Sequence, residues 1–284
     1  MKCIVTGGLG FIGSNLVDKL ISRSHEVHVI DDLSFGKEEY KNSQATYYIE
    51  DFANISSINV KNIDVIFHLG ACARIQPSFE DPVYTIKNNI YGSSLVGEFA
   101  KEHHAKVVYA GSSTADNDIL VNPYAFGKHA GEDVFRMFSK CYKLRTATTR
   151  FYNVYGPRNP LIGEFSPVVV KFEEQYKAGE KLTVVGTGEQ RRDFTHVDDI
   201  CEGLIAASSK DFYGDIFNLG TGTNYSINEL ARMFVSEDRI SYIPARQGEA
   251  ETTLADYSYT NKTTGWKARI QLPDYVNNFL NETV

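Results

Sequence analysis

Tyr124 and Lys128 stand four residues apart, a spacing that on a helix puts a phenol and an ammonium on one face. The cation favours the phenolate and would bring the tyrosine's pKa towards neutrality. Such a group can take the proton of an alcohol while hydride leaves the carbon. Just upstream, Ser112-Ser113-Thr114 offers hydroxyls able to hydrogen-bond the same oxygen. With 17 tyrosines in the chain, roughly one Tyr-x3-Lys pair is expected by chance. The pair therefore means something only through the elements that hold it.

Those elements start at the N-terminus. The apolar run Lys2-Cys3-Ile4-Val5-Thr6 passes through Gly7, Gly10 and Gly13 into Asn15-Leu16-Val17-Asp18-Lys19-Leu20-Ile21. This order predicts a buried strand, a tight turn and the first helix of a βαβ unit. Gly7 and Gly10 let the backbone turn and bring N–H groups to a pyrophosphate, and Gly13 lets the helix approach the strand. The positive end of the helix then faces the phosphates. A second apolar run, Glu26-Val27-His28-Val29-Ile30, ends in Asp31-Asp32. Asp31 is placed to accept hydrogen bonds from an adenosine ribose. A carboxylate there repels a 2′-phosphate, and no arginine follows closely, so NAD is favoured over NADP.

The alternation continues. Further strands are expected at 46–49, 64–68, 106–110 and 145–151, with helices filling roughly 83–104 and 124–142. The order implies an α/β fold with a doubly wound parallel sheet of the Rossmann type. Ligands of such a sheet sit at the carboxyl ends of its strands. Beyond Tyr155-Gly156-Pro157-Arg158 the signals become mixed, as in a smaller C-terminal α+β lobe. The expected division is 1–153 for the dinucleotide-binding domain and 154–284 for the substrate lobe, with one strand near 215–219 returning to the main sheet.

Bulk properties narrow the class. A chain of 284 residues, 42% hydrophobic and 23% charged, suits one large domain or two tightly packed lobes. A net charge of −7 argues against nucleic-acid binding. No apolar run is long enough to span a bilayer, and no basic leader precedes the first strand, so a cytoplasmic location is expected. Cys3, Cys72, Cys141 and Cys201 lie far apart without a CxxC. They read as buried free thiols, with neither a disulfide framework nor a metal site.

A wider set of motifs carries a resemblance. The first are Thr6-Gly7-x-x-Gly10-x-x-Gly13, Asp31-Asp32-Leu33-Ser34, Asp51-Phe52, Leu69-Gly70-Ala71 and Asn89-Ile90-Tyr91-Gly92. Then come Asn122-Pro123-Tyr124-Ala125-Phe126-Gly127-Lys128 and Arg150-Phe151-Tyr152-Asn153-Val154-Tyr155-Gly156-Pro157-Arg158. The last are Gly188-Glu189-Gln190-Arg191-Arg192-Asp193-Phe194, Asn218-Leu219-Gly220-Thr221-Gly222 and Pro244-Ala245-Arg246-Gln247-Gly248-Glu249. In this order they resemble the extended short-chain dehydrogenases/reductases, and within them the NAD-dependent nucleotide-sugar epimerases and dehydratases. The nearest likeness is to the 4-epimerases of UDP-glucose.

The resemblance implies roles. Phe11 and Ile12 would give N–H groups to the pyrophosphate of NAD. Asp31, with Asp32, Leu33, Ser34 and Gly36, would hold the adenosine ribose side, and Asp51 and Phe52 would flank the adenine. Leu69, Gly70, Ala71, Asn89 and Tyr152 would surround the nicotinamide. Ser112, Tyr124 and Lys128 match the family's catalytic hydroxyl, base and partner. Asn153, Arg192 and Arg246 would hold a nucleotide diphosphate and Glu249 its ribose. A homodimer is implied, formed by helices 83–104 and 124–142, where Phe99, Val134, Phe135, Met137 and Phe138 offer apolar surface that could equally serve the chain's own core.

Reaction type is also constrained. Family dehydratases and decarboxylases carry an acid just after the catalytic hydroxyl, where this chain has Ser113 and Thr114. The expectation is therefore a UDP-glucose/UDP-galactose 4-epimerase acting through a 4-keto sugar. Thr253, matched by counting from Arg246, is small where glucose-only relatives have Tyr, so N-acetylated sugars are expected to fit as well. Two departures stand out: Ala115-Asp116-Asn117 replaces the usual Val-Tyr-Gly, and the loop to Tyr124 is shortened. The alternatives are a 4-ketoreductase, a dehydratase, an epimerase at another carbon, or an NAD-binding relative without catalysis.

Overall fold

Continuous apolar runs, rather than alternating ones, make strands that are buried on both faces. The computed structural model describes residues 1–116, 118–161, 166–245 and 250–283, and the early runs all enter one sheet. The first part contains β1 (Lys2–Thr6), α1 (Phe11–Ser22), β2 (Glu26–Asp31), β3 (Thr46–Ile49) and β4 (Val65–His68). Next come α2 (Ile75–Glu80), α3 (Pro82–Ile86), α4 (Ser93–Glu102), β5 (Lys106–Ser112), α5 (Pro123–Tyr142) and β6 (Thr146–Phe151). They are followed by β7 (Val154–Tyr155), α6 (Val168–Lys177), β8 (Leu182–Val185), β9 (Arg191–Asp193), β10 (Thr195–His196) and α7 (Val197–Ser208). The chain ends with β11 (Tyr213–Leu219), β12 (Asn224–Ser226), α8 (Ile227–Phe234), β13 (Ile240–Ile243), α9 (Ser258–Thr264) and α10 (Leu272–Thr283).

The main sheet has seven strands in the order β11-β6-β5-β4-β1-β2-β3. Its neighbours run parallel, with Val5 facing Val29 on one side and Phe67 on the other. The fold is thus a Rossmann-type α/β sandwich. Successive residues of one strand serve opposite layers. Cys3 and Val5 pack with Leu16 and Leu20 of α1 and with Ile200 and Leu204 of α7. Ile4 and Ile66 pack with Val96 of α4 and Phe135 of α5. Winding reverses between β1 and β4, so a crevice opens at the carboxyl ends of those strands.

The helix expected at 83–104 is not uniform. Asp81 caps α3 by accepting the Tyr84 N–H at 2.9 Å. The turn from Lys87 to Gly92 is then π-helical before α4 begins. The helix expected at 124–142 runs from Pro123 to Tyr142. Pro123 needs no N–H donor at that first position, and the Asn122 side chain caps the helix by accepting the Ala125 N–H at 2.7 Å.

The strand expected near 215–219 is β11, which pairs with β6 at the sheet edge, Phe217 opposite Thr149. Residues after β7 otherwise form short two-stranded pairings around their own apolar cluster, which includes Phe172, Leu230 and Phe234. Cys3 and Cys201 are buried, Cys72 is half-buried and Cys141 is exposed, so burial of all four thiols was not met; all are free. Phe99, Phe135 and Phe138 belong to the chain's own core, whereas Met137 is exposed. Among the described residues no helix is long and apolar enough to cross a membrane, and no cluster of metal-ligating side chains is present.

Candidate active site

A cavity of about 1170 Å³ lies at the carboxyl end of the sheet. Pockets for drug-sized ligands run to roughly 300–1,000 Å³, so this one is large for a single small molecule. One half is walled by the turn after β1 and the loops after β2 and β4. The other reaches β8 and β9 through Thr183, Val185 and Arg192.

The dinucleotide half is built on two glycines. Gly7 has φ +69, a left-handed conformation, and a Cβ there would stand 2.8 Å from the Gly70 nitrogen. A Cβ on Gly13 would stand 2.0 Å from the Gly7 carbonyl oxygen. Only hydrogen at both positions lets α1 start so close to β1. No side chain caps α1, and its first turn holds no acid. Its N-terminus therefore offers free N–H groups and a positive potential, which fits a dinucleotide pyrophosphate. Gly7, Gly10, Phe11, Ile12 and Gly13 all line the cavity.

Asp31 is buried at the end of β2. Its Oδ2 accepts the Leu9 N–H at 2.9 Å and its Oδ1 the Leu33 N–H at 2.9 Å. Burial raises its pKa, and those two bonds oppose the rise. The carboxylate lines the cavity together with Asp32, Ser34, Gly36 and Phe52. Leu33 does not line it; it serves as backbone, with φ +62. Asp51 also stays outside. Its Oδ1 accepts the Ala53 N–H at 2.8 Å, starting a short turn, and it borders a small side recess beside Tyr84 and Asn88.

Leu69, Gly70 and Ala71 form the wall after β4. A buried chain of hydrogen bonds runs behind it. The Thr6 hydroxyl accepts the Gly70 N–H at 3.0 Å and meets His68 Nδ1 at 2.7 Å. His68 Nε2 meets Ser93 Oγ at 3.2 Å, and the Ser93 hydroxyl donates to the Asn89 carbonyl at 2.7 Å. Asn89 itself lies behind the wall. Its side-chain oxygen accepts the Cys72 N–H at 2.8 Å, and its amide donates to the Cys72 carbonyl at 3.0 Å. It shapes the loop and does not line the cavity.

Tyr124, Ser112 and Lys128 meet between the two halves. The Tyr124 hydroxyl donates to Ser112 Oγ at 3.2 Å, and the Thr114 hydroxyl donates to the same oxygen at 3.0 Å. Lys128 is buried, with its ammonium 4.5 Å above the Tyr109 ring. All four hydroxyl and amine side chains line the cavity. The expected acidic shift of Tyr124 is not seen. Burial raises its pKa, partly opposed by the Ser112 contact. Burial likewise pushes Lys128 down to about 7, partly opposed by Glu132. A lysine near half-protonation at neutral pH gives the phenolate less support than a full charge would.

The departure at 115–117 has a structural counterpart, although Asn117 lies outside the described residues. Arg150 grips Glu132 with two bonds, Nε at 3.1 Å and Nη2 at 2.8 Å, and reaches Asp116 with Nη1 at 2.7 Å. The Tyr152 hydroxyl also donates to Asp116. Tyr152 is therefore fully buried behind the loop and does not reach the cavity. Phe151, one residue earlier and on the opposite side of the strand, lines it instead.

At the far half, Asn153, Arg192 and Thr253 line the cavity. The Asn153 amide donates to the Asp193 carbonyl at 3.0 Å and to Thr253 Oγ1 at 2.9 Å. Arg192 Nη1 donates to the Arg191 carbonyl at 3.0 Å. Arg246 and Glu249 lie outside the described residues. The structure also brings in residues that motif reading passed over, notably Phe35, Arg74 and Asp118. Their loops meet only in space, so no local spacing marks them.

The profile of the NAD dependent epimerase/dehydratase family matches residues 3–220. The UDP-glucose 4-epimerase of Mycolicibacterium smegmatis is 32% identical over 302 residues, spanning 96% of each chain. Among solved structures, the Thermotoga maritima UDP-glucose 4-epimerase with UDP-glucose superposes with a TM-score of 0.90 at 30% identity, covering 99% of this chain and 98% of that one. The Methanobrevibacter ruminantium UDP-N-acetylglucosamine 4-epimerase, in complex with UDP-N-acetylmuramic acid, gives 0.88 at 30% identity over 99% and 98%. Proteins named UDP-glucuronic acid decarboxylase match as well, at 29% and 30% identity.

Proposed function

The chain belongs to the NAD dependent epimerase/dehydratase family, and on that footing we propose that it inverts C4 of a UDP-sugar through a transient 4-keto intermediate. The observation that carries this reading is the all-hydroxyl cluster around Ser112 Oγ, made by Tyr124 and Thr114. An elimination or decarboxylation would use an acid at the position Ser113 and Thr114 occupy. The nearby Asp116 is committed to Arg150 and Tyr152.

NAD, when bound, supplies a hydride acceptor and then a hydride donor. Gly7, Phe11, Ile12 and Gly13 would hold its pyrophosphate, Asp31 its adenosine ribose, and Leu69 to Ala71 its nicotinamide side. Tyr124 takes the proton from the sugar's O4 as hydride leaves C4. Ser112 holds the same oxygen, and Lys128 balances the phenolate. After the sugar has turned, Tyr124 returns the proton to O4 as hydride arrives on the opposite face. Asn153 and Arg192 would hold the diphosphate; the family likeness gives Arg246 and Glu249, outside the described residues, a share in binding the nucleotide.

The test is incubation with UDP-glucose, UDP-galactose and UDP-N-acetylglucosamine, without added NAD, followed by proton NMR of the product. The expected result is a mixture of C4 epimers. A 6-deoxy or decarboxylated sugar refutes it. Thr253→Tyr should abolish turnover of the N-acetylated sugar and spare UDP-glucose; retained N-acetyl turnover refutes the pocket reading.

One observation favours a second reading. Asp118 lines the cavity from the shortened loop, and a carboxylate there is the acid a dehydratase needs. It is exposed and caps a turn by accepting the Leu120 N–H at 2.9 Å, which suits a structural role better. The same NMR experiment separates the two. The reading further takes residues 1–153 and 154–284 as cofactor and substrate lobes, and the cytoplasm as the place of work. It also takes the chain as a homodimer through the helical segments 83–104 and 124–142, on which Val83, Ile86, Phe126 and Met137 are exposed. Light scattering giving a monomer mass refutes the dimer.

A further inference from the structure

Two loops meet at the cavity. Phe35 lies in the loop after β2 and Arg74 in the loop after β4, and in the sheet those strands flank β1 on its two sides. A contact between the two loops would join the walls on either side of β1, whose carboxyl end leads into the Gly7–Gly13 turn and α1. The contact exists: the Arg74 guanidinium carbon stands 4.6 Å from the centre of the Phe35 ring. Both side chains line the cavity.

Each arm of this bridge is fixed. On one side, Cys72 is held through both its N–H and its carbonyl by Asn89. On the other, the Lys37 N–H donates to the Leu9 carbonyl at 3.0 Å, and Leu9 donates in turn to Asp31. The guanidinium is also unanswered. Among the described residues no carboxylate lies within ion-pair distance of Arg74, and burial lowers its pKa. A half-buried cation resting on an aromatic face, lining the same cavity as an uncapped helix N-terminus, is a place for an anion. Phe35 is 49% exposed, an outward position for a large ring unless something is to be covered.

We propose that Arg74, braced on Phe35, is a clasp that closes over the pyrophosphate of the bound dinucleotide and governs its release. The proposal rests on the family's cofactor and not on which sugar is turned over. An enzyme that oxidises and re-reduces one substrate needs its cofactor retained through both half-reactions, and a stacked bridge across the exit would provide that.

The experiment uses ADP-ribose, which has the pyrophosphate and no nicotinamide, so its outcome is independent of epimerase activity. Protein stripped of nucleotide is titrated by calorimetry with ADP-ribose and, separately, with UDP. Release of NAD from loaded protein is followed by dilution into a trap. Arg74→Ala should weaken ADP-ribose and speed NAD release, each about tenfold, with UDP affinity unchanged. Phe35→Ala should do the same by about threefold, and raising salt should narrow the gap between wild type and Arg74→Ala. Circular dichroism melts of both variants verify folding. The proposal is overturned if both variants hold ADP-ribose and NAD like the wild type. It is equally overturned if Arg74→Ala weakens UDP and leaves ADP-ribose alone, which would assign the arginine to the sugar nucleotide.

Discussion

Replacing Lys128 by methionine should remove a slope from the pH dependence of stability. The ammonium is buried against the Tyr109 ring, and burial pushes its pKa from 10.5 to about 7. Unfolded chains then bind the proton more tightly than folded ones between those two values. Stability from this group is complete above pH 10.5, falls as the pH drops, and levels off below about 7. Each pKa unit is worth about 1.4 kcal/mol. At pH 9 the folded lysine is neutral and the unfolded one lies about 1.5 units below its own pKa, a penalty of about 2 kcal/mol. At pH 7 the folded lysine is half protonated and the penalty is about 4 kcal/mol. Methionine has similar length and carries no such penalty. Urea unfolding of both proteins, freed of nucleotide, gives the difference in stability at the two pH values. The wild type should gain about 2 kcal/mol on Lys128→Met between pH 7 and pH 9. Lost packing against Tyr109 shifts both values equally and cancels. A difference that stays constant across the range refutes the assignment of a depressed lysine.

Further substitutions probe separate parts of the site. Tyr124→Phe removes the proton carrier, so kcat should fall by about 10²–10⁴ while the NAD content, read from the absorbance of the nucleotide released on denaturation, stays at the wild-type level. Arg150→Met leaves Glu132, 1% exposed, without its partner; it should cost about 3–5 kcal/mol in urea unfolding, and adding Glu132→Leu should recover most of that. Gly13→Ala sets a methyl 2.0 Å from the Gly7 carbonyl oxygen; calorimetry with NAD should show binding lost, and unchanged affinity would mean the turn is not the phosphate site.

Much of the scaffold was readable because a parallel sheet covered on both faces needs uninterrupted apolar strands. The runs at β1, β2, β4 and β5 announce themselves, and the helix expected at 124–142 lies within one residue of α5 at its start. The π turn at Lys87–Gly92 was not readable, since i→i+5 bonding leaves no composition signal of its own. The family likeness puts Tyr152 beside the nicotinamide, whereas its hydroxyl donates to Asp116 and its side chain does not line the cavity. At the end of β6 a single step reverses the face, so Phe151 meets the cavity and the Tyr152 hydroxyl meets the carboxylate of Asp116. Asp51 and Asn89 have the expected neighbourhood but direct their polar atoms to backbone groups. The shift of Tyr124 runs the other way because spacing on a helix says nothing about burial, and here burial outweighs the Ser112 hydrogen bond. Phe35 and Arg74 could not be found, because their contact depends on strand order and not on separation along the chain.

The hydrogen-bond chain from Gly70 through Thr6, His68 and Ser93 to Asn89 runs in one direction only. Ser93 spends its proton on a carbonyl, so it must accept from the histidine, and Thr6 must donate to the other ring nitrogen. That selects a single neutral tautomer, and burial holds the ring's pKa near 3. The imidazole behind the Leu69–Ala71 wall is consequently an insulator. It neither buffers nor relays across the range where histidines normally titrate, and any acid limb in the rate profile of this protein must originate in other side chains.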